Sequence, residues 1–399
     1  MLRVAGEYAL AVTPQRVREK VVDPRYSWSL ADMRPVARGA GSAVSLLIAP
    51  ANFASQSYHW ARAAETLPGV SAQSLEFVQP GTRMSTPADV SVPATVARYS
   101  RAWALKQRRA ILKGFTHVLY EAELPILPSL YGEDLGAEIR DLESHGVRVG
   151  MVSHGSDIRT PSTHVRLHRD SPFQEPLGGL TAALEAKAGP NREILSEFPG
   201  PTFVSTPDLL EYAPGASWLP TLTEPSRWTE LPPAQLGRRR LQVLHVPSHS
   251  ALKGTAFISP AMHELQRQGL IDYVEAERVP REEMPALVAK ADLVIDQVSM
   301  GLYGIASVEA MLAGRLAVAQ AGPYIRERIK SQTGWDLPII EAGPKDIGQV
   351  VAEVAANPAA HAGRLDAGRA FALDVHSQGL AASVLRPFLL PVTRDREAR

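Results

Sequence analysis

The chain contains no cysteine, which excludes disulfides, thiolate metal sites and a cysteine nucleophile and fits a reducing compartment. Nor is there an excess of charge. The 42 Lys and Arg balance 42 Asp and Glu, so no global field draws nucleic acid, and electrostatic recognition has to be local. Long apolar runs are missing too. No stretch approaches the about 18 uncharged apolar residues of a membrane-spanning helix. The opening MLRVAGEYALAV meets Pro14, Arg16 and Arg18 before it is long enough for a secretory signal. These absences describe a cytoplasmic protein whose expected membrane contact is peripheral, at the inner face.

What is present is an alternation. Residues 1–40 are polar and mixed, and read as an N-terminal extension. The apolar run 44–50 then has strand length, and Phe53, Trp60 and Ala64 follow at helical spacing. Further strand-like runs lie at 116–124, 146–154 and 201–210. A Pro-rich polar stretch at 221–240 breaks the rhythm. It restarts with strands at 240–248, 271–279, 292–298 and 315–322 and helices at 258–269, 282–291 and 308–314. Such alternation predicts an α/β fold of doubly wound parallel sheets covered on both faces. The length of 399 residues suits two domains, 41–222 and 223–375, enclosing a cleft at the carboxyl ends of their strands.

Two loops in the second half carry candidate chemistry. HVPSHSALKGT (245–255) runs from a strand into a polar loop with Lys253 and Gly254 just ahead of a helix, offering an ammonium and backbone N–H groups to a diphosphate. DQVSMGLYGIASVEAMLAG (296–314) sets Gly301 and Gly304 before a helix containing Glu309, so that a phosphate can approach the backbone. In the first half, NFASQS (52–57) follows the first strand and VSHGSDIR (152–159) ends another.

These segments resemble glycosyltransferase family 4, the glycogen-synthase-like retaining enzymes of GT-B architecture. The family pattern is a strand, a Lys-Gly loop and a later Glu-x7-Glu motif ending in E-A-M-x-x-G, matched here by VEAMLAG, and an H-G-S-D strand end in the N-terminal domain. The likeness runs over roughly residues 43–385. It implies retaining, metal-independent transfer of a sugar from a nucleotide-diphosphate sugar to an acceptor, with no cofactor besides that donor. Carried over, Lys253 contacts the leaving diphosphate beside Gly254, Gly301, Tyr303 and Gly304, and Glu309 binds the ribose hydroxyls. His154 faces the donor sugar at the reaction centre, while Asn52, Ser55 and Asp157 border the acceptor and phosphates. Residues 376–399 are expected to form a helix returning towards the N-terminal domain. A sheltered cleft with positioned charges is what a retaining transfer requires.

Two positions depart from the pattern. The family's Arg five residues before the Lys is Ser248, and its first Glu is Gly301. Asp296, Gln297 and Tyr303 are nearest to hand for the missing groups. A catalytically silent GT-B nucleotide-binding or partner subunit is the rival reading these departures favour. A nucleotide-sugar epimerase shares the scaffold but lacks a convincing carboxylate pair around the sugar.

Two further features stand apart from the resemblance. Between Ser91 and Tyr120 there is no acidic residue, while Arg98, Arg101, Lys106, Arg108, Arg109 and Lys113 fall on one arc of a single helix. That arc is either a solvated face or a patch for anionic lipid headgroups or an acidic acceptor. His164 and His168 have the spacing of a helical metal pair, but Arg159, Arg166 and Arg169 around them repel a dication, so no metal is expected.

Overall fold

Apolar runs without alternation are buried on both faces, and here they become the central strands of two parallel sheets. The computed structural model describes residues 2–13, 22, 23, 27–79, 87–132 and 134–390. Arg16 and Arg18 of the extension, and residues 391–399 of the C-terminal segment, lie outside the described residues.

The first sheet holds β1 (Val44–Ala49), β2 (Val70–Val78), β3 (Val90–Pro93), β4 (His117–Glu121), β5 (Arg148–Ser153), β6 (Thr202–Val204) and β7 (Ser217–Trp218). The second holds β8 (Leu241–His245), β9 (Ile271–Glu275), β10 (Leu293–Ile295), β11 (Leu316–Ala319) and β12 (Ile340–Glu341). Their orders are β3-β2-β1-β4-β5-β6-β7 and β12-β11-β10-β8-β9. Neighbouring strands run parallel, as in Ile48 opposite Leu119 and Ile295 opposite His245. Each order reverses once, between β1 and β4 and between β8 and β10. At such a switch point the loops leaving adjacent strands diverge, opening a crevice beyond their carboxyl ends.

Strand alternation divides the first core. Leu47, Ala49, Val118, Tyr120 and Met151 face one side with Trp103 and Ile111, and Leu46, Ile48, Leu119 and Val152 face the other with Trp60. The helix Gln378–Leu389 crosses back from the second half and adds Leu385 and Phe388 to that second face.

The structure corrects the sequence reading in three places. The strand expected to reach Leu210 ends at Val204, and a 3-10 turn, Pro207–Glu211, follows, because Pro207 has no N–H to give a ladder. β2 and β3 were not read from the sequence at all. Ser71, Gln73, Ser74 and Glu76 interrupt the apolar pattern of β2.

The basic segment is not one helix but two, Ala94–Tyr99 and Arg101–Gly114, broken at Ser100. Ser100 Oγ caps the second helix by accepting the Trp103 amide at 3.1 Å. Glu7, on the helix Leu2–Ala11, in turn accepts the Ser100 hydroxyl at 3.0 Å and the Ala102 amide at 2.9 Å. Carboxylate near this helix start suits the dipole, and it comes from elsewhere in the chain.

Candidate functional site

At the first switch point the turn after β1 is held in an unusual backbone. Asn52, Ala54 and Ser55 have φ of 56°, 49° and 64°, and Ala122 and Glu123, just beyond β4, have 55° and 56°. Left-handed conformations at non-glycine residues carry strain that the surroundings must offset, and they gather at functional sites. The surroundings here are dominated by Glu121. Its buried Oε2 accepts the amides of Ala51 at 3.0 Å and Asn52 at 2.9 Å, and its Oε1 accepts His154 Nε2 at 3.0 Å.

His154 lies at the mouth of this turn. Its ring stacks on Trp60 at 5.4 Å between centroids and meets the edge of exposed Phe53 at 5.1 Å. The hydrogen bond to Glu121 fixes the ring's orientation and places the proton on Nε2.

Two neighbours expected to face acceptor or phosphate are turned inward instead. Asp157 is buried and folds back on its own turn, accepting the His154 amide at 2.6 Å and the Gly155 amide at 2.5 Å. Asn52 is also buried. Its Nδ2 donates to Glu76 and to the Pro87 carbonyl, and its Oδ1 accepts the Ser57 hydroxyl. Both organise the loops; neither presents a free group.

At the second switch point Lys253 ends a short helix, Ser250–Lys253, and Gly254 joins it to the helix Thr255–Arg267. Gly254 has φ of 77°, and a Cβ there would lie 2.7 Å from both Val298 Cγ2 and Ser299 Oγ. Only glycine fits. Lys253 Nζ reaches Asp296 Oδ1 at 2.5 Å.

Asp296 is therefore not a replacement sugar ligand. It is buried, and its Oδ2 also accepts the Gly304 amide at 2.6 Å and the Ser307 hydroxyl at 2.8 Å. Burial alone would raise its pKa, but the Lys253 ammonium and these donors outweigh it and hold the carboxyl below its ordinary value. Gln297 is likewise engaged, accepting the Ser299 and Met300 amides and donating to the Leu302 carbonyl. Tyr303 lies in the core, its hydroxyl 3.1 Å from His376 Nε2. Ser248 is exposed on the loop after β8.

The glycine turn is also closed off at one end. The Gly301 amide donates to Gln320 Oε1 at 3.2 Å, and a Cβ on Gly301 would touch the His168 ring at 3.1 Å. The histidine pair thus docks the first domain onto this turn. His164 Nε2 sits 3.2 Å from the Met300 carbonyl oxygen and its Nδ1 2.7 Å from Ser171 Oγ. Burial pushes its pKa down to about 3, so the ring is neutral. Among the described residues no three His, Asp or Glu side chains gather as a metal site.

Glu309 stands on the helix Ile305–Leu312 that begins after Gly304. Burial pushes its carboxyl up to about 7, against the pull of the Arg281 and Arg227 cations. Arg281 was not singled out from the sequence. It lies in the loop after β9, between the strand expected at 271–279 and the helix expected at 282–291. Its Nη1 crosses the cleft to Ser55 Oγ at 2.6 Å, and Arg227 Nη2 donates to its carbonyl at 2.9 Å. Ser55 and Arg281 thus join across the two switch points, Arg281 lies near enough to Glu309 to pull its pKa down, and Lys253 lies beside the Gly304 turn: a Cβ on Gly304 would lie 3.3 Å from Lys253 Nζ.

Two parallel-sheet domains facing one cleft are the GT-B architecture. Sucrose-phosphate synthase from Thermosynechococcus elongatus superposes on 86% of this chain and 97% of its own, with a TM-score of 0.53 at 12% identity. Anabaena HepE in complex with UDP matches 87% of this chain and 99% of its own, with a TM-score of 0.53 at 12% identity. HepE in complex with UDP-glucose gives 86%, 98% and 0.51 at 13%. At these identities the likeness is one of fold and does not single out family 4. No protein-family model and no curated protein matches the sequence.

Proposed function

We propose that the protein is a glycosyltransferase that takes a nucleotide-diphosphate sugar as donor and transfers the sugar with retention and without a metal. The observation that carries this reading is the hydrogen bond from Arg281 to Ser55 across the two switch points, with Glu309 within electrostatic reach of Arg281 and Lys253 beside the Gly304 turn. Cations beside a helix start suit a diphosphate, and a carboxylate poised near neutrality suits ribose hydroxyls. HepE, of the same fold, was seen with UDP-glucose. In this reading Lys253 neutralises charge on the departing diphosphate, Glu309 holds the ribose, and His154 is held by Glu121 against the donor sugar.

The test is a thermal-shift screen over nucleotide sugars, followed by donor hydrolysis. Binding raises the melting temperature in proportion to the logarithm of ligand concentration over Kd. Lys253→Ala and Glu309→Ala are expected to weaken donor binding about tenfold or more, and His154→Ala to lower turnover more than affinity. Kinetics unchanged in all three would remove the assignment.

A second reading draws on one feature. Asp296 already matches the Lys253 charge, and Ser248 and Gly301 remove a further cation and carboxylate. A silent GT-B subunit would then bind nucleotide without hydrolysing donor, which the same assay separates.

The acceptor is proposed to lie on the first domain, at the cytoplasmic face of a membrane. The helix Arg101–Gly114 exposes Arg101, Leu105, Arg109 and Lys113 in one stripe at four-residue spacing, a pattern suited to anionic headgroups. Among the described residues no helix is long and apolar enough to cross a membrane.

A further inference from the structure

The site holds a cation in a place that the family pattern does not. At the position of the expected arginine stands Ser248, exposed and uncharged. The remaining family cation, Lys253, is already paired with a buried carboxylate at 2.5 Å. A donor diphosphate carries more than one negative charge, and one shared ammonium leaves most of it unmatched.

Arg281 is differently situated. It is half-buried, and among the described residues it has no carboxylate in ion-pair contact. Among the described residues its one side-chain hydrogen bond goes to a neutral hydroxyl, Ser55 Oγ, on the far side of the cleft. A guanidinium stays charged at any working pH and offers five donors in a fork that fits two phosphate oxygens, so a lone hydroxyl leaves most of its capacity open. It lies close enough to Glu309 and His59 to bias the ionisation of both. Its own carbonyl is held by a second guanidinium, that of Arg227. The cation is therefore bonded to the left-handed turn at Ser55 and within electrostatic reach of the carboxylate assigned to the ribose, a place suited to the linkage between nucleoside and sugar.

We infer that Arg281 is the second diphosphate-binding cation of this site, supplied by the loop after β9 in place of the arginine missing at Ser248. The inference rests on the donor reading above. On donor binding the guanidinium exchanges one hydroxyl for phosphate oxygens, and the bound diphosphate comes to bridge Arg281 and the Ser55 turn. The two domains are then joined through the ligand as well as by direct contact.

The experiment is calorimetric titration of the full chain and of Arg281→Ala and Arg281→Lys. The probes are inorganic pyrophosphate, the diphosphates UDP, GDP, ADP and dTDP, and the corresponding nucleosides. Arg281→Ala is expected to weaken pyrophosphate and the preferred nucleoside diphosphate about ten- to a hundredfold, with nucleoside affinity within about twofold of wild type. Arg281→Lys should fall between, since it keeps the charge and loses the fork. An equal loss for nucleoside and diphosphate, as a purely structural contact would give, overturns the inference, as does unchanged diphosphate affinity. If Arg281→Ala does not fold, Arg281→Lys and Arg281→Gln carry the same comparison. Loss of binding in Lys253→Ala but not in Arg281→Ala overturns this inference alone; no binding of any diphosphate to the wild type removes the donor reading with it.

Discussion

His154 and Glu121 share one hydrogen bond of 3.0 Å, and through it the His154 imidazole is tied to the backbone of the turn after β1. The other oxygen of the same carboxylate accepts the Ala51 and Asn52 amides. Ring orientation and turn conformation are set by a single buried group, so they cannot be altered independently.

Glu121→Gln tests this coupling. The amide is nearly isosteric, but its NH2 must oppose either the His154 N–H or the two backbone amides. The expected outcome is a loss of about 1–3 kcal/mol in stability and a fall in donor turnover with donor affinity little changed. Denaturant melts and hydrolysis rates check it; a variant with wild-type turnover would show that His154 needs no orienting partner.

Gly254→Ala and Gly146→Ala separate strain from crowding. Both glycines have positive φ, 77° and 86°, but a Cβ at Gly146 meets nothing within 4 Å, whereas at Gly254 it would collide with Val298 and Ser299. Gly146→Ala should cost about 1 kcal/mol and Gly254→Ala at least about 2 kcal/mol, the latter also displacing Lys253 and weakening diphosphate binding. Equal melting temperatures for the two would contradict the packing described.

Acid should destabilise the protein. Burial pushes His59, His117 and His376 down to about 4 and His164 to about 3, from the ordinary 6.5. These rings are neutral when folded, while the unfolded chain takes up protons below about pH 6.5, so stability falls as pH drops from there towards 4. Glu138 and Glu309, pushed up to about 7 by burial, act oppositely: their stabilisation is complete below about pH 4.5 and is lost as pH rises to 7. Melting temperatures at pH 5 and 8 should thus show the acid loss. Glu309→Gln should widen the difference by relieving the cost at pH 8, and His376→Gln should narrow it.

Vesicle cosedimentation tests the stripe Arg101, Leu105, Arg109 and Lys113. Binding should require anionic lipid, weaken with salt and disappear in Arg101→Glu/Arg109→Glu. Arg108→Ala should leave it intact, because Arg108 is already held by Asp141 through bonds of 2.7 and 2.6 Å. Equal partition onto neutral and anionic vesicles would refute the membrane contact.

The central strands were legible because burial on both faces writes an apolar run, as in 46–49 and 293–295. β2 was not, since its polar residues Gln73 and Glu76 serve contacts formed only in the fold: Gln73 accepts the Arg38 amide and Glu76 accepts Asn52. Lys253 and Gly254 could be picked out because a local motif places them just ahead of a helix, and Glu309 because it belongs to the VEAMLAG motif on the helix after the Gly304 turn. Asp296, Asn52 and Asp157 were equally visible as polar residues near the right loops, yet sequence does not say whether a carboxylate or amide faces solvent or folds back on backbone amides. Arg281 and Glu121 left no local trace, because their importance comes from partners 226 and 33 residues away in the chain.

The helix Gln378–Leu389 puts Leu385 and Phe388 into the interior of the first sheet. During synthesis the first domain leaves the ribosome before the second, yet part of its own interior is encoded beyond the second sheet, in the helix Gln378–Leu389. The order of translation and the order of completion are therefore opposed: the earlier domain waits, with an apolar face uncovered, for the later one to be made.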